Sequence, residues 1–160
     1  MEKEFRISYT ELAGKNELDQ IDHDLVKRAE EALKHAYADY SRFYVGAAVL
    51  LENGVIITGN NQENVAYPSG ICAERVALFY ASSQYPNVKI KTIAVMAKSI
   101  KFSPQMPVSP CGSCRQVITE YEQKYTSPIK IIMASEDGKI IITNNAKSLL
   151  PFVFEASLKS

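Results

Sequence analysis

All three cysteines of this chain fall in two short motifs, Cys72-Ala73-Glu74 and Pro110-Cys111-Gly112-Ser113-Cys114. Thiolates are soft ligands, and Zn²⁺ favours a tetrahedral site built from sulfur or nitrogen donors. Cys72, Cys111 and Cys114 therefore make a candidate Zn²⁺ site with three protein ligands and a fourth position open. A closed four-ligand site holds a fold together, whereas an open one binds and activates water. Glu74 stands two residues from Cys72 and is the natural proton carrier for such a water.

Each motif has a plainer reading. Taken alone, Cys111-x-x-Cys114 also fits a redox pair or half of a structural zinc knot. A redox pair would not need Cys72, and a knot would need a fourth Cys or His. The two histidines, His23 and His35, both stand among charged and polar neighbours in the first expected helix, as surface histidines do. Cys72 alone would pass for a small buried residue beside a Glu-Arg pair; the second motif sets that reading aside. Three thiolates on Zn²⁺ leave a net negative site, which weakens the metal as a Lewis acid. A nearby Arg offsets this charge, and Arg75 and Arg115 are the candidates. Arg75 shares a helical face with Cys72.

These residues need elements to hold them. Residues 21–37 carry apolar side chains at helical spacing (Leu25, Ala29, Ala32, Leu33, Ala36), with Asp22 as the expected N-cap. Residues 43–51 read as a strand. Asn53-Gly54 signals a type I′ hairpin, and residues 55–58 return as its second strand. An Asn-rich loop over 59–71 precedes a helix over 72–82. Residues 90–97 form a buried strand, and a loop with Pro104, Pro107 and Pro110 spans 99–110. A helix over 111–124 follows, opened by Pro-Cys-Gly, which would set two sulfurs near unpaired N–H groups and the positive helix end. Strands over 129–134 and 139–143 flank an Asp137-Gly138 turn. This order predicts an α/β fold, a three-layer α/β/α domain with a five-stranded mixed sheet flanked by helices. Residues 1–20 are expected to be an N-terminal extension, an arm or edge strand over 5–9 followed by a loop, and 21–160 a single domain.

Composition narrows the function. A chain of 160 residues can bury its own core, and 46% apolar with 22% charged residues is ordinary for a globular domain. Zero formal net charge and scattered Lys and Arg leave no basic stripe for phosphates, so no nucleic-acid partner is expected. The charged start Met1-Glu2-Lys3-Glu4 lacks a secretory apolar region, and no apolar run approaches a membrane span. An odd cysteine count argues against a disulfide framework, and thiolate chemistry suits a reducing compartment, so a cytoplasmic location is expected.

Four strings carry a resemblance. They are Ser41-Arg42-Phe43-Tyr44-Val45-Gly46-Ala47-Ala48, Asn61-Gln62-Glu63-Asn64-Val65-Ala66-Tyr67-Pro68, Gly70-Ile71-Cys72-Ala73-Glu74-Arg75 and Ser109-Pro110-Cys111-Gly112-Ser113-Cys114-Arg115-Gln116. Together they resemble the cytidine deaminase family, specifically its small homotetrameric class with three Cys ligands, from about residue 22 to the C-terminal phenylalanines. The resemblance implies that Cys72, Cys111 and Cys114 bind zinc and Glu74 shuttles protons. It also implies that Phe43 packs against the pyrimidine, Asn61 and Glu63 hold the ribose hydroxyls, and the Ala73 backbone meets the base carbonyl. Arg75 would temper the thiolate charge. Phe154 would close the pocket of a neighbouring subunit, with Phe152 as the alternative. The tail departs from the family: Glu155-Ala156-Ser157-Leu158 stands where a proline-containing segment is usual. The activity implied is zinc-dependent hydrolytic deamination of cytidine and deoxycytidine in pyrimidine salvage. The rivals are deamination of an aminonucleoside antibiotic and a non-catalytic zinc-binding interaction domain.

Overall fold

The computed structural model describes residues 1–101 and 106–156. Its centre is strand β2 (Phe43–Leu51), which pairs antiparallel with both β3 (Ile56–Asn60) and β4 (Ile90–Ser99). β4 runs parallel to β5 (Lys130–Ala134), and β5 antiparallel to β6 (Ile140–Thr143). The sheet is mixed, as expected, but among the described residues it has six strands instead of five. Residues Thr10–Leu12 form β1 and pair antiparallel with β6, giving the order β1-β6-β5-β4-β2-β3. The edge strand lies at 10–12 and not at 5–9. β1 shields an edge that would otherwise present Ile140, Ile141 and Ile142 in a row.

Side chains alternate along β2, so the strand feeds two cores. Val45, Ala47, Val49 and Leu51 pack with α2 (Ala73–Gln84) and α3 (Gly112–Tyr125) on one face. Ala48 packs with Leu25, Val26, Ala29 and Leu33 of α1 (Gln20–Leu33) on the other. This is the expected three-layer arrangement. Two glycines allow the helices to lie close. A side chain at Gly46 would strike the α1 backbone at Ala29 and Leu33, and one at Gly59 would strike the α2 backbone at Ala73 and Ala77.

Local details differ where distant partners compete. Asp19, not Asp22, caps α1, accepting from the Asp22 N–H at 2.8 Å. The Asp22 carboxylate instead receives Lys130 Nζ of β5 at 2.6 Å, a partly buried tie between helix and sheet. α1 ends at Leu33 and not near Tyr37, because the Tyr37 N–H donates to the Asn61 carbonyl and the Tyr37 carbonyl accepts from the Glu63 N–H. At Asn53-Gly54 only Gly54 has positive φ (84°), and its N–H donates to the Leu51 carbonyl. A type I′ turn needs two left-handed residues, so that expectation is corrected to a longer connection with one. Pro104 of the 99–110 loop lies outside the described residues.

Candidate metal centre and cavity

Cys72 and Cys111 occupy equivalent places: each is the N-cap of a helix, α2 and α3, in extended backbone and without a side-chain capping bond. N-cap side chains are usually Ser, Thr, Asp or Asn turned back onto the helix. Here the sulfurs are left for another partner. Cys114 is the third residue of α3 and fully buried. The three Sγ atoms lie within 4.8 Å of one another, and Cys72 and Cys111 are 3.8 Å apart. Tetrahedral bonds of about 2.3 Å to zinc separate two sulfurs by about 3.8 Å. The donor set therefore fits Zn²⁺ in type and spacing. Among the described residues no His, Asp or Glu joins this group; His23 and His35 lie away from it on the exposed side of α1 and the turn after it.

The electrostatics favour thiolate at Cys72. A hydrogen bond from the Cys114 thiol lowers the Cys72 thiol to about 5; burial opposes this, and Arg75 and Cys111 assist. Cys114 is pushed up correspondingly, because its S–H serves Cys72, because it is buried, and because Glu74 is close. Arg75 Nη2 lies 3.6 Å from Cys72 Sγ. Glu74, the second residue of α2, is only 4% exposed. Burial raises its carboxyl above the ordinary value, and the charge on Cys72 adds to the rise.

A cavity of about 620 Å³ opens beside the sulfurs, within the size range of small-molecule sites. Phe43, Asn61, Glu63, Cys72, Glu74 and Cys111 all line it. Residues from four segments thus meet in one place: the start of β2, the strand end after β3, and the first turns of α2 and α3. Phe43 is half-buried and pairs with Ser99 of β4 in register. Ala73 is buried as the first residue of α2, where the backbone N–H has no partner within the helix.

Asn61 and Glu63 of the Asn-rich loop are partly engaged already. Asn61 Oδ1 accepts from the Val45 N–H at 2.8 Å and Nδ2 donates to the Phe43 carbonyl at 2.9 Å, continuing the β2 ladder. Glu63 Oε2 accepts from the N–H groups of Tyr40 and Ser41 at 2.9 and 3.2 Å. Burial raises the Glu63 carboxyl, but these bonds, the Ser41 hydroxyl and Lys101 outweigh it and leave the group below its ordinary value. An amide and a carboxylate can each make further hydrogen bonds beyond these, and both residues line the cavity.

Three predicted residues stand apart. Phe154 is 78% exposed and Phe152 94% exposed, and neither lines the cavity of its own chain. Arg115, a candidate for offsetting thiolate charge, spends its guanidinium elsewhere: on the carbonyls of Pro110 and Leu149 and on Ser109 Oγ. Sequence reasoning missed Tyr40 and Tyr67, which line the cavity and meet edge to face at 6.2 Å. Tyr67 is inside a quoted string and Tyr40 directly precedes one, so adjacency was the available signal.

Comparison with known proteins agrees with this geometry. A family model described as "Cytidine and deoxycytidylate deaminase zinc-binding region" matches residues 19–127. The chain is 42% identical over 130 residues to the cytidine deaminase of Sporosarcina psychrophila, covering 81% of this chain and 88% of that one. It is 47% identical over 96 residues to the cytidine deaminase of Halalkalibacterium halodurans, covering 60% and 68%. The crystal structure of cytidine deaminase from Burkholderia pseudomallei superposes with a TM-score of 0.71 at 35% identity, covering 82% of this chain and 98% of that one.

Proposed function

The chain belongs to the cytidine and deoxycytidylate deaminase family, and from that premise we propose that it hydrolyses cytidine and deoxycytidine to uridine and deoxyuridine with release of ammonia. The observation that carries the reading is the meeting of two helix N-termini. They bring three cysteine sulfurs within 4.8 Å of one another at a cavity that Glu74 also lines. Three protein ligands leave zinc a position for water, which argues against a purely structural metal and so against a non-catalytic interaction domain.

Zinc, when bound, supplies hydroxide at neutral pH. The rest falls to the protein. Phe43 packs on the pyrimidine ring, and the Ala73 N–H donates to the base carbonyl. Asn61 and Glu63 take the ribose hydroxyls with the polar capacity that β2 and the 40–41 backbone leave them. Glu74 receives the proton of the attacking water and delivers it to ring N3, which makes C4 electrophilic. The same carboxylate then takes the hydroxyl proton and hands it to the departing amine, so that water and cytidine become uridine and ammonia. A single carboxylate serving as base and then acid needs shelter from bulk water, and Glu74 is 4% exposed. Arg75 moderates the charge of the sulfur cluster from 3.6 Å.

Residues 21–160 are, on this reading, one deaminase domain and 1–20 an extension. The protein works as a homotetramer in the cytoplasm, in pyrimidine salvage, with Phe154 reaching into a neighbour's cavity. Support for the last point is the ring's exposure beside a fixed backbone. No helix among the described residues is long and apolar enough to cross a membrane.

The test is direct. Purified protein is incubated with cytidine, deoxycytidine, an aminonucleoside antibiotic and a cytosine-containing oligonucleotide, with and without chelator. Chelator-sensitive loss of the cytidine absorbance is expected. Turnover of the antibiotic alone would transfer the reading to that substrate, and no ammonia from any of them would end it.

A further inference from the structure

The first turn of α3 does more than present Cys111 and Cys114. The next two residues, Arg115 and Gln116, both reach across to the C-terminal segment. Arg115 Nε donates to the Pro110 carbonyl at 2.7 Å, and its two Nη atoms donate to the Leu149 carbonyl at 2.9 Å and to Ser109 Oγ at 2.8 Å. One planar guanidinium therefore ties the loop entering Cys111 to the start of the tail, a geometry that a lysine ammonium cannot copy. Gln116 pairs with the Phe154 backbone in both directions: Nε2 donates to the Phe154 carbonyl at 2.8 Å, and the Phe154 N–H donates to Oε1 at 3.3 Å.

Residues 153–156 have no regular secondary structure. Gln116 supplies the two bonds that a neighbouring strand would otherwise provide. The result is a fixed backbone with its ring turned outward, since Phe154 is 78% exposed. An unanchored tail would leave both ring and backbone in water.

We propose that Arg115 and Gln116 are positioning residues that lock the tail carrying Phe154 to the turn carrying Cys111 and Cys114, so that the metal turn of one subunit and the aromatic closure of its neighbour's cavity are set by one rigid unit. The inference rests on the reading of Phe154 given above. It assigns the two residues after Cys114 a role in substrate affinity, not in metal binding or proton transfer.

The experiment compares the intact protein with Gln116→Met, Gln116→Glu and Phe154→Ala. Gln116→Met keeps the side-chain length and removes both bonds; Gln116→Glu keeps the acceptor for the Phe154 N–H. Three quantities are measured: zinc per chain, amide hydrogen exchange over residues 150–156, and KM and kcat for cytidine. For Gln116→Met, full zinc is expected, with exchange of the tail and KM each raised about three- to tenfold, the effect of losing one or two neutral hydrogen bonds. Its kcat should stay within about twofold. Gln116→Glu should recover part of both changes, and adding Gln116→Met to Phe154→Ala should raise KM no further. Unchanged tail exchange in Gln116→Met would overturn the anchor. Faster exchange with unchanged KM, while Phe154→Ala raises KM, would overturn the coupling to the cavity. If Phe154→Ala itself leaves KM unchanged, the reading of Phe154 fails, and the exchange data alone decide the anchor.

Discussion

Gly59→Ala is the sharpest perturbation of the site that touches none of its chemical groups. The β-carbon would sit 2.6 Å from the Ala73 carbonyl oxygen and 2.6 Å from the Ala77 nitrogen. Both are α2 backbone atoms, so no side-chain rotation relieves the contact. Ordinary contact begins near 3.4 Å, and α2 must therefore retreat by about 0.8 Å at its first turns. That turn carries Cys72 and Glu74, whereas Cys111 and Cys114 ride on α3. A shift of that size is several times the roughly 0.2 Å tolerance of metal–ligand distances. Overpacking of this kind costs about 1–3 kcal/mol. At roughly 2–4 °C per kcal/mol for a domain of this size, the melting temperature should fall by about 2–12 °C. Misplacing a reacting group by about 1 Å costs on the order of 100-fold in rate, so turnover should suffer more than stability does. The assay is a thermal melt, zinc content and cytidine turnover on the same preparation. Gly112→Ala is the control, since a β-carbon there meets nothing within 4 Å. If Gly59→Ala keeps its zinc and its turnover while the melt drops, the strand and not α2 absorbs the strain, and the argument is refuted.

The remaining predictions concern single groups. Glu74→Gln should keep its zinc but lose nearly all turnover, and an active variant would remove the proton-shuttle role. Cys111→Ser should lose metal and stability together, so undiminished zinc on elemental analysis would strike Cys111 from the ligand set. Glu122→Ala should cost about 2–5 kcal/mol in chemical denaturation. Its Oε1 alone accepts from the buried N–H groups of Ile129 and Ala146, each at 2.7 Å, and both would be orphaned; a loss within experimental error would contradict this. Glu63 has a depressed carboxyl, so its stabilising contribution is present above about 4.5, the ordinary value, and is lost as pH falls through the folded one. Stability measured against pH should fall more steeply in the parent than in Glu63→Gln across that window, and parallel curves would count against it.

How much of this was legible in the sequence depends on how far each residue reaches. The helices over α1, α2 and α3 follow from apolar spacing and from N-terminal signals, which are local. The end of α1, the true cap at Asp19 and the strand β1 were not legible. A three-residue strand has no periodicity to read, and the fate of Asp22 was settled by Lys130, 108 residues away. The residue types at the site were likewise readable, but their bonds were not. Asn61 turned out to brace β2 at Phe43 and Val45 as well as line the cavity, and Arg115 was drawn from the sulfurs to Leu149.

Sequence by itself determined the metal chemistry. A sulfur at a helix N-cap, another three residues on, and an acid two residues from the third sulfur are spacings within one helical turn, where backbone geometry leaves little freedom. Only the tertiary structure decided which surfaces those turns meet, how the sheet edge is closed and what holds the tail in place. Those outcomes come from competition among polar groups as much as 108 residues apart, each seeking a partner once water is excluded, and pairings of that kind have no signature along the chain.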